Sequence, residues 1–423
     1  MKTVIRAALA TAAMAGLAVP VFAQVQEGER PTEGQVQAGE APATPIFEGE
    51  TALRSLQNPV MAPMWTTAAA EELLDYVERI HEDGLTAEDY APDALRAAIA
   101  SKDEGRLRTA ATDTFLRLSS DLALGHVRGK ARIDWHMVDP DLDGNQQYAL
   151  MEKALSGTGV RAVLDGLLPT HPQYRELKGV LAASSDQKVI DKVRTNLDRW
   201  RWLPRDLGDR YVLVNVPAYT VAIVENGAVT ARHRGVVGAA KTATPQLSAV
   251  ATGVIFNPWW EVPASITPEV RGKKGYVTVP AGKGVRYRQP PGPGNALGRM
   301  KVVMPNNYAI YLHDTPSKQY FAREARALSH GCIRTQDALG FARKLLDNPE
   351  WDEAKISRTI ASGKTAQAKT RVDTPVYIAY FTAAAAKDNG GIIEYRDVYG
   401  RDKVVVAALN DKAGTALAAA ASK

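Results

Sequence analysis

The apolar residues change period near residue 205, and a fold for this chain has to satisfy both halves. Before that point the spacing is helical. "AAAEELLDYVERIHEDGL" sets Leu73, Leu74, Val77 and Ile80 on one face, and Gly84 ends the run. "DALRAAIASKD", "LRTAATDTFLRLSSDLALG" and "QYALMEKAL" repeat the pattern. After "NLDRWRWLPRDLGDR" the chain alternates instead: "YVLVNVPAYTVAIVENGAVTARHRGVVG" is β-branched and carries a hairpin signal at Asn226-Gly227. "VATGVIFNPWWEVP" and "YAIYLHD" read as further strands, and "TPVYIAYFTAAAA" and "GIIEYRDVYG" as two closing ones. The expected fold class is α+β, with a helical domain over 51–195 followed by a mainly β domain over 196–408. Within the β half, the Gly-, Pro-, Lys- and Arg-rich stretch 267–299 reads as a long irregular excursion, and a segment of that kind inside a β domain is functional or mobile. Thr335 is the expected N-cap of a helix over "QDALGFARKLL".

The two ends differ in character. "MKTVIR", the apolar "AALATAAMAGLAVPV" and the small residues of "VFA" read as an export signal over 1–23, expected to be cleaved near Ala23 and to direct the mature protein to the periplasm, with a retained anchor or a disordered apolar start as the other reading. Residues 24–50 nearly lack large apolar side chains and read as a flexible linker, and 409–423 as a low-complexity tail. The formal charge of +5, without a dense Lys/Arg stripe interleaved with aromatics, argues against nucleic acid as a partner.

The chain has a single cysteine, Cys332, in "SHGCIR". An exported protein pairs its structural cysteines, so an odd one points to a reactive thiol, with a small buried filler as the other reading. The thiolate is the nucleophile, and a base must take its proton. His330 is adjacent in sequence; His313, at the end of a strand, reaches the sulfur if strand end and turn face each other across a cleft. The second ring nitrogen of His313 then needs an acceptor, for which the Asp314 backbone carbonyl is suited. N–H groups around Gly331 and Cys332 can donate to an oxyanion, the start of the following helix favours a thiolate, and Arg334 offers a fork to a carboxylate. A zinc site of His313, His330 and Cys332 lacks a fourth ligand and recognisable spacing. His81, His126, His136 and His171 share no ligand spacing.

"HDTPSKQYFAREARALSHGCIR" closely resembles the active-site segment of the L,D-transpeptidases with a YkuD-type catalytic domain. Arg334, where many members have Asn, is similar to the large YcbB-like branch, as are "NLDRWRWLP", "NPWWEVP" and "YLHDTPSK". "GLTAEDY" and "LLPTHPQYRELK" resemble the scaffold domain of that branch, so that the resemblance runs from about residue 55 to 402. It departs in one respect: "ELKGVLAASSDQKVIDKVRTNLDRW" leaves no room for the usual peptidoglycan-binding insert.

The resemblance implies a peptidoglycan L,D-transpeptidase, active in cell wall biogenesis and needing no cofactor or metal. Cys332 would be the nucleophile, His313 the general base, and Asp314 the carbonyl that orients it. Tyr311, Ser329, His330, Gly331 and Arg334 would line the substrate and oxyanion region, joined by Trp259, Trp260, Tyr320 and Phe321. Segments over about 262–327 would form a capping or lid subdomain, its lid running from Thr315 to Ala327. The partners would be donor and acceptor stem peptides, with carbapenems as acylating agents and the protein a monomer. The cross-link could be of the 3–3 type, or of the 1–3 type by cleavage after L-Ala. The alternatives are a cysteine peptidase or L,D-carboxypeptidase that only hydrolyses, and a non-catalytic wall scaffold.

Overall fold

A computed structural model describes residues 64–138, 142–264, 267–282, 284–386 and 390–411. The expected export signal, linker and most of the tail lie outside them. The helical half contains α1 (Thr67–Glu78), α2 (Pro92–Ser101), α3 (Glu104–Leu124), α4 (Gly144–Lys153), α5 (Val160–Asp165) and α6 (Pro172–Ala183). Local signals start these helices: the Thr66 hydroxyl accepts from Ala69 N, Asp103 caps α3, and Asp143 with Gln146 forms a capping box on α4. Along α3 the buried Leu107, Ala111, Phe115, Leu118 and Leu122 recur every three or four residues and face Leu73, Val77 and Ile80 in one core.

α7 (Gln187–Arg201) joins the halves and is enclosed from Thr195 to Arg201 although much of that stretch is polar. Its buried Asn196, Asp198, Arg199 and Arg201 side chains each have partners, whereas Thr195 Oγ1 and the Arg199 Nε and Nη2 atoms have no hydrogen bond among the described residues. On the helical side, Asp198 accepts from His126 N at 2.7 Å, Val127 N at 3.1 Å and Trp202 Nε1 at 2.8 Å. Arg201 donates to the Tyr174 hydroxyl at 2.7 Å and to the Asp83 carbonyl. On the other side, Asn196 Nδ2 donates to Thr382 Oγ1 at 3.1 Å, and Asn196 Oδ1 accepts from Thr382 N at 2.8 Å. Arg199 pairs with Asp402 at 2.7 Å, and Lys192 reaches the second carboxylate oxygen at 2.8 Å.

The β half is one sheet rolled toward closure. The helical half contributes its first strand, β1 (Trp135–His136), and the other strands that form its frame are β2 (Arg210–Asn215), β3 (Thr220–Glu225), β4 (Ala228–Gly238) and β5 (Gln246–Phe256). A small three-stranded cap follows, made of β6 (Trp260–Glu261), β7 (Val277–Ala281) and β8 (Gly284–Gln289), with the short helix α8 (Thr267–Val270) between. Then come β9 (Met300–Val303), β10 (Leu312–His313), β11 (Ala327–Ser329), β12 (Ile333–Thr335) and β13 (Ala366–Ala379). The order is β1-β5-β13-β2-β3-β4-β12-β10-β9, and β9 pairs back onto β5. Helices α9 (Ala338–Leu346) and α10 (Glu353–Ala361) pack on the core; β14 (Ala383–Ala385) and β15 (Ile392–Glu394) form a separate pair. α11 (Asp402–Asn410) returns to α7.

Two local expectations are corrected. Residues 267–299 are not irregular throughout: Val277–Ala281 and Gly284–Gln289 pair as a hairpin whose alternation is diluted by Lys, Arg and Gly. Thr335 is not a helix cap. It ends β12, and Asp337, at φ +47°, caps α9 by accepting from Gly340 N at 3.2 Å. The expected turn at Asn226-Gly227 is present, with φ of +49° and +76°.

Burial acts to raise the Asp402 pKa, but Arg199 and Lys192 outweigh it and hold the carboxyl below its usual range. A depressed carboxylate stabilises the fold fully above its unfolded range near ~4 and loses that contribution as the pH falls. Asp402→Ala is expected to cost about 3 kcal/mol at pH 7, because Arg199 is left buried without its anion. Urea unfolding at neutral pH measures this, and the gap from the parent protein should narrow below about pH 4.

Candidate active site

The site is assembled on the sheet face opposite the hydrophobic core. Met300, Val302, Leu312 and Ile333 point into the core, so alternation turns Lys301, His313 and Arg334 to the other face. Register brings those three together: His313 stands opposite Lys301 across the antiparallel β9–β10 pair and beside Arg334 across the parallel β10–β12 pair.

His313 is fully buried, and its Nδ1 donates to the Asp314 carbonyl at 2.5 Å. A carbonyl can only accept, so this contact fixes the tautomer and leaves Nε2 as the basic nitrogen. The Tyr311 ring stands edge-on to the imidazole at 5.7 Å. Asp314 is itself anchored: its carboxylate accepts from Arg299 N and Nε, both at 3.0 Å, and from Lys318. Burial would raise the Asp314 pKa, but Lys318 and Arg299 hold it below the ordinary range.

The turn bearing Cys332 lies between β11 and β12. Gly331 adopts φ +118°, a conformation that strongly favours glycine, and an added Cβ would meet Ile310 Cδ1 at 3.2 Å. Ser329 Oγ donates to the Cys332 carbonyl at 2.6 Å and accepts from Gly331 N at 3.3 Å. The Gly331 amide, expected as an oxyanion donor, is therefore engaged within the turn. Cys332 is half-buried, with Sγ 3.6 Å from the Ala309 carbonyl. The helix that was expected to begin beside it starts only at Ala338, after β12, so its positive end does not lie at the sulfur.

The remaining expected residues are distributed around this centre. His330 is half-buried in the turn. Arg334 is buried with its guanidinium 5.6 Å from the Tyr320 ring centroid, and Phe321 is buried with its carbonyl accepting from Arg234. Trp259 is partly exposed under Arg288, whereas Trp260 packs with Val262, Tyr287 and Leu297 in the core of the cap.

Sequence reasoning missed the segment that cradles the turn. Thr244 Oγ1 donates to the Gly331 carbonyl at 2.7 Å and accepts from Gly238 N at 2.8 Å. Thr242 Oγ1 and Ala239 N donate to the Ser329 carbonyl at 3.0 and 2.7 Å. Tyr399 OH donates to the Gly238 carbonyl at 2.6 Å. A Cβ at Gly238 would lie 2.1 Å from the Thr242 carbonyl oxygen, so the close approach requires glycine. The "GAAKTATP" stretch has no periodicity to reveal this, but Lys301, a cation within an apolar strand, could have been noticed. Its ammonium sits 4.0 Å from the Tyr311 ring centroid; burial lowers its pKa, against the opposing influence of Cys332 and Glu261.

Among the described residues no His, Cys, Asp and Glu cluster could hold a metal ion. The arrangement is a thiol in a glycine-dependent turn that leads directly into the strand paired with the one bearing an imidazole of fixed tautomer, residue types that suit nucleophilic acyl chemistry.

The chain is similar to known proteins over both of its halves. Residues 209–378 match the family model of the YkuD L,D-transpeptidase catalytic domain, and 57–181 that of the Scaffold domain. A Haemophilus influenzae protein named "Putative L,D-transpeptidase" is 28% identical over 390 residues, covering 81% of this chain and 76% of that protein. Among solved structures, an L,D-transpeptidase from Mycobacterium smegmatis is 14% identical with a TM-score of 0.22, over 40% of this chain and 58% of that one. L,D-transpeptidase 1 of Mycobacterium tuberculosis is 13% identical with a TM-score of 0.20, over 40% and 61%. The chain thus spans about three-fifths of the length of these two solved chains. Both halves are thus matched in the expected order: the chain carries a YkuD L,D-transpeptidase catalytic domain over 209–378, preceded by a scaffold domain over 57–181.

Proposed function

We propose that this protein is a periplasmic peptidoglycan L,D-transpeptidase that works through a thioester on Cys332. The observation that carries the proposal is the His313 ring, locked by the Asp314 carbonyl with its basic nitrogen turned away from that anchor, on the sheet face that bears Arg334 two residues from the thiol. His313 Nε2 takes the thiol proton, and the sulfur adds to the carbonyl carbon of an L-residue in an L–D peptide bond. The tetrahedral adduct collapses, the amine of the D-residue leaves with the proton held by His313, and a thioester remains. The side-chain amine of a neighbouring diaminopimelate adds to the thioester, losing a proton to His313, and expels the sulfur to leave a cross-link. Water in place of the amine gives L,D-carboxypeptidase action at the same centre. Arg334, buried beneath Tyr320, is a fixed cation suited to a stem-peptide carboxylate. A carbapenem would acylate Cys332 by the same addition.

Cys332→Ala is expected to abolish acyl transfer while the fold is retained, since the side chain is small and half-buried. Mass analysis of purified muropeptides after incubation reads the loss, and cross-linking at the parent rate by the variant would end the cysteine mechanism. His313→Ala should slow carbapenem acylation by roughly 10²–10⁴-fold, as removal of a general base does, and His330→Ala by much less. Stopped-flow acylation compares the two, and the reverse order would transfer the base role to His330. Tandem mass spectrometry of muramidase-released dimers identifies the bond cut: diaminopimelate-to-diaminopimelate links mean cleavage after the third residue, and L-Ala-to-diaminopimelate links mean cleavage after the first.

A further inference from the structure

We propose that Lys301 is a positioning residue of this site, a fixed cation braced on the Tyr311 ring that holds the Cys332 sulfur in its ionised, attacking form. The inference rests on the reading of Cys332 as nucleophile. A thiolate needs nearby positive charge or N–H donors, and a helix N-terminus is a common source. Here α9 begins six residues after Cys332, beyond an intervening strand, and that source is not at the sulfur. Besides the His313 ring that takes the proton, the side-chain cations of the site floor remain as sources of that potential.

Lys301 has the required geometry. Alternation on β9 turns it away from the core, and register sets it directly opposite His313, where cross-strand Cβ atoms stand about 4.5–5.5 Å apart. Its ammonium lies 4.0 Å from the Tyr311 ring centroid, and Tyr311 stands edge-on to His313, so the three side chains form one group. A cation held on an aromatic face loses hydration and gains from the ring quadrupole, which fixes its position without neutralising it. Ile333 N donates to the Tyr311 carbonyl at 3.0 Å, which holds the Cys332 end of the turn beside the residue on whose ring the ammonium rests, and Cys332 and Glu261 are the acidic groups that oppose the effect of burial on Lys301. Glu261 is already ion-paired with Arg288 at 2.6 Å on the cap. The sulfur is therefore the anion of the site floor that Lys301 is placed to favour. The titratable and charged groups around Cys332 are Lys301 from β9, Tyr311 and His313 from β10, His330 from its own turn, Arg334 from β12 and Glu261 with Arg288 from the cap. Arg334 is a second cation of the floor, set against the Tyr320 ring, and Lys301 is the one grouped with Tyr311 and the imidazole.

Because the chain has one cysteine, alkylation by iodoacetamide reports on Cys332 alone. Its rate is measured against pH on the full chain. The parent should reach half-maximal rate below the free-thiol range of about 8.5. Lys301→Met should move that midpoint up by about one pH unit or more, an approximately tenfold loss of thiolate at neutral pH, with the high-pH plateau retained. Lys301→Arg should keep the midpoint close to that of the parent, and carbapenem acylation by Lys301→Met should recover as the pH is raised. If Lys301→Met does not fold, Lys301→Gln is read in the same way. A Lys301→Met profile that coincides with the parent, or a Lys301→Arg profile displaced as far as the Met one, overturns the assignment. Alkylation reads the thiol and not the stem peptide, so that failure would leave the transpeptidase reading standing. A parent thiol titrating in the ordinary range would overturn the assignment and remove the support for a preformed nucleophile.

Discussion

The polar seam along α7 is the constraint on which the rest of the structure depends. A helix buried on both sides would ordinarily be apolar, because each uncompensated charge in such a place costs several kcal/mol. Here Asn196, Asp198, Arg199 and Arg201 are enclosed, and each is matched by a group fixed elsewhere. Partners on the helical side and on the sheet side must therefore sit correctly at once. Apolar packing would tolerate sliding of the two halves, whereas directional hydrogen bonds at this density do not. The C-terminal helix α11 is part of the same arrangement, since Asp402 at its start is the anion for Arg199.

The active centre repeats this logic at smaller scale. The catalytic turn has little packing of its own, and its shape is imposed by hydrogen bonds to successive backbone groups. Thr242, Thr244 and Ala239 grip Ser329 and Gly331 from one side, and Ser329 closes the turn from within. The His313 imidazole, the proposed base, is held by sheet register and by a carbonyl whose own residue is anchored to Arg299 and Lys318. Both groups of the proposed mechanism are thus positioned by the backbone, which moves less than free side chains would.

The division into a helical and a β half was legible because each periodicity persists over many residues, and the turn at Asn226-Gly227 because its residue types suit positive φ. His313 and Cys332 were singled out through their motif, and spacing alone left His330 in contention. Other features depended on contacts that no local pattern encodes. β1 is two residues long, too short to show alternation. The β7–β8 hairpin carries a polar composition because most of its residues are exposed or only half-buried. Asp337 caps α9 from a left-handed conformation, so Thr335 was the more obvious candidate. The role of Thr244 follows only from the approach of Gly238 to the loop, which is a tertiary event.

β1 also alters what counts as a unit in this molecule. Trp135 and His136 belong by sequence to the helical half, yet they lie against Gln246 and Leu247 as a strand of the catalytic sheet, and His136 stacks on Tyr308 at 4.1 Å, next to the residue whose carbonyl receives the Cys332 thiol. Gln246 further bonds to the carbonyls of Asp134 and Ile133 through its main chain and side chain. A cut placed at the family boundary near residue 208 would therefore strip a strand from the sheet of the matched domain and leave the start of β5 without its β1 partner. Recombining this catalytic domain with a foreign partner would require the newcomer to donate a strand of its own, so inheritance of the two halves is coupled by main-chain pairing as well as by the covalent chain.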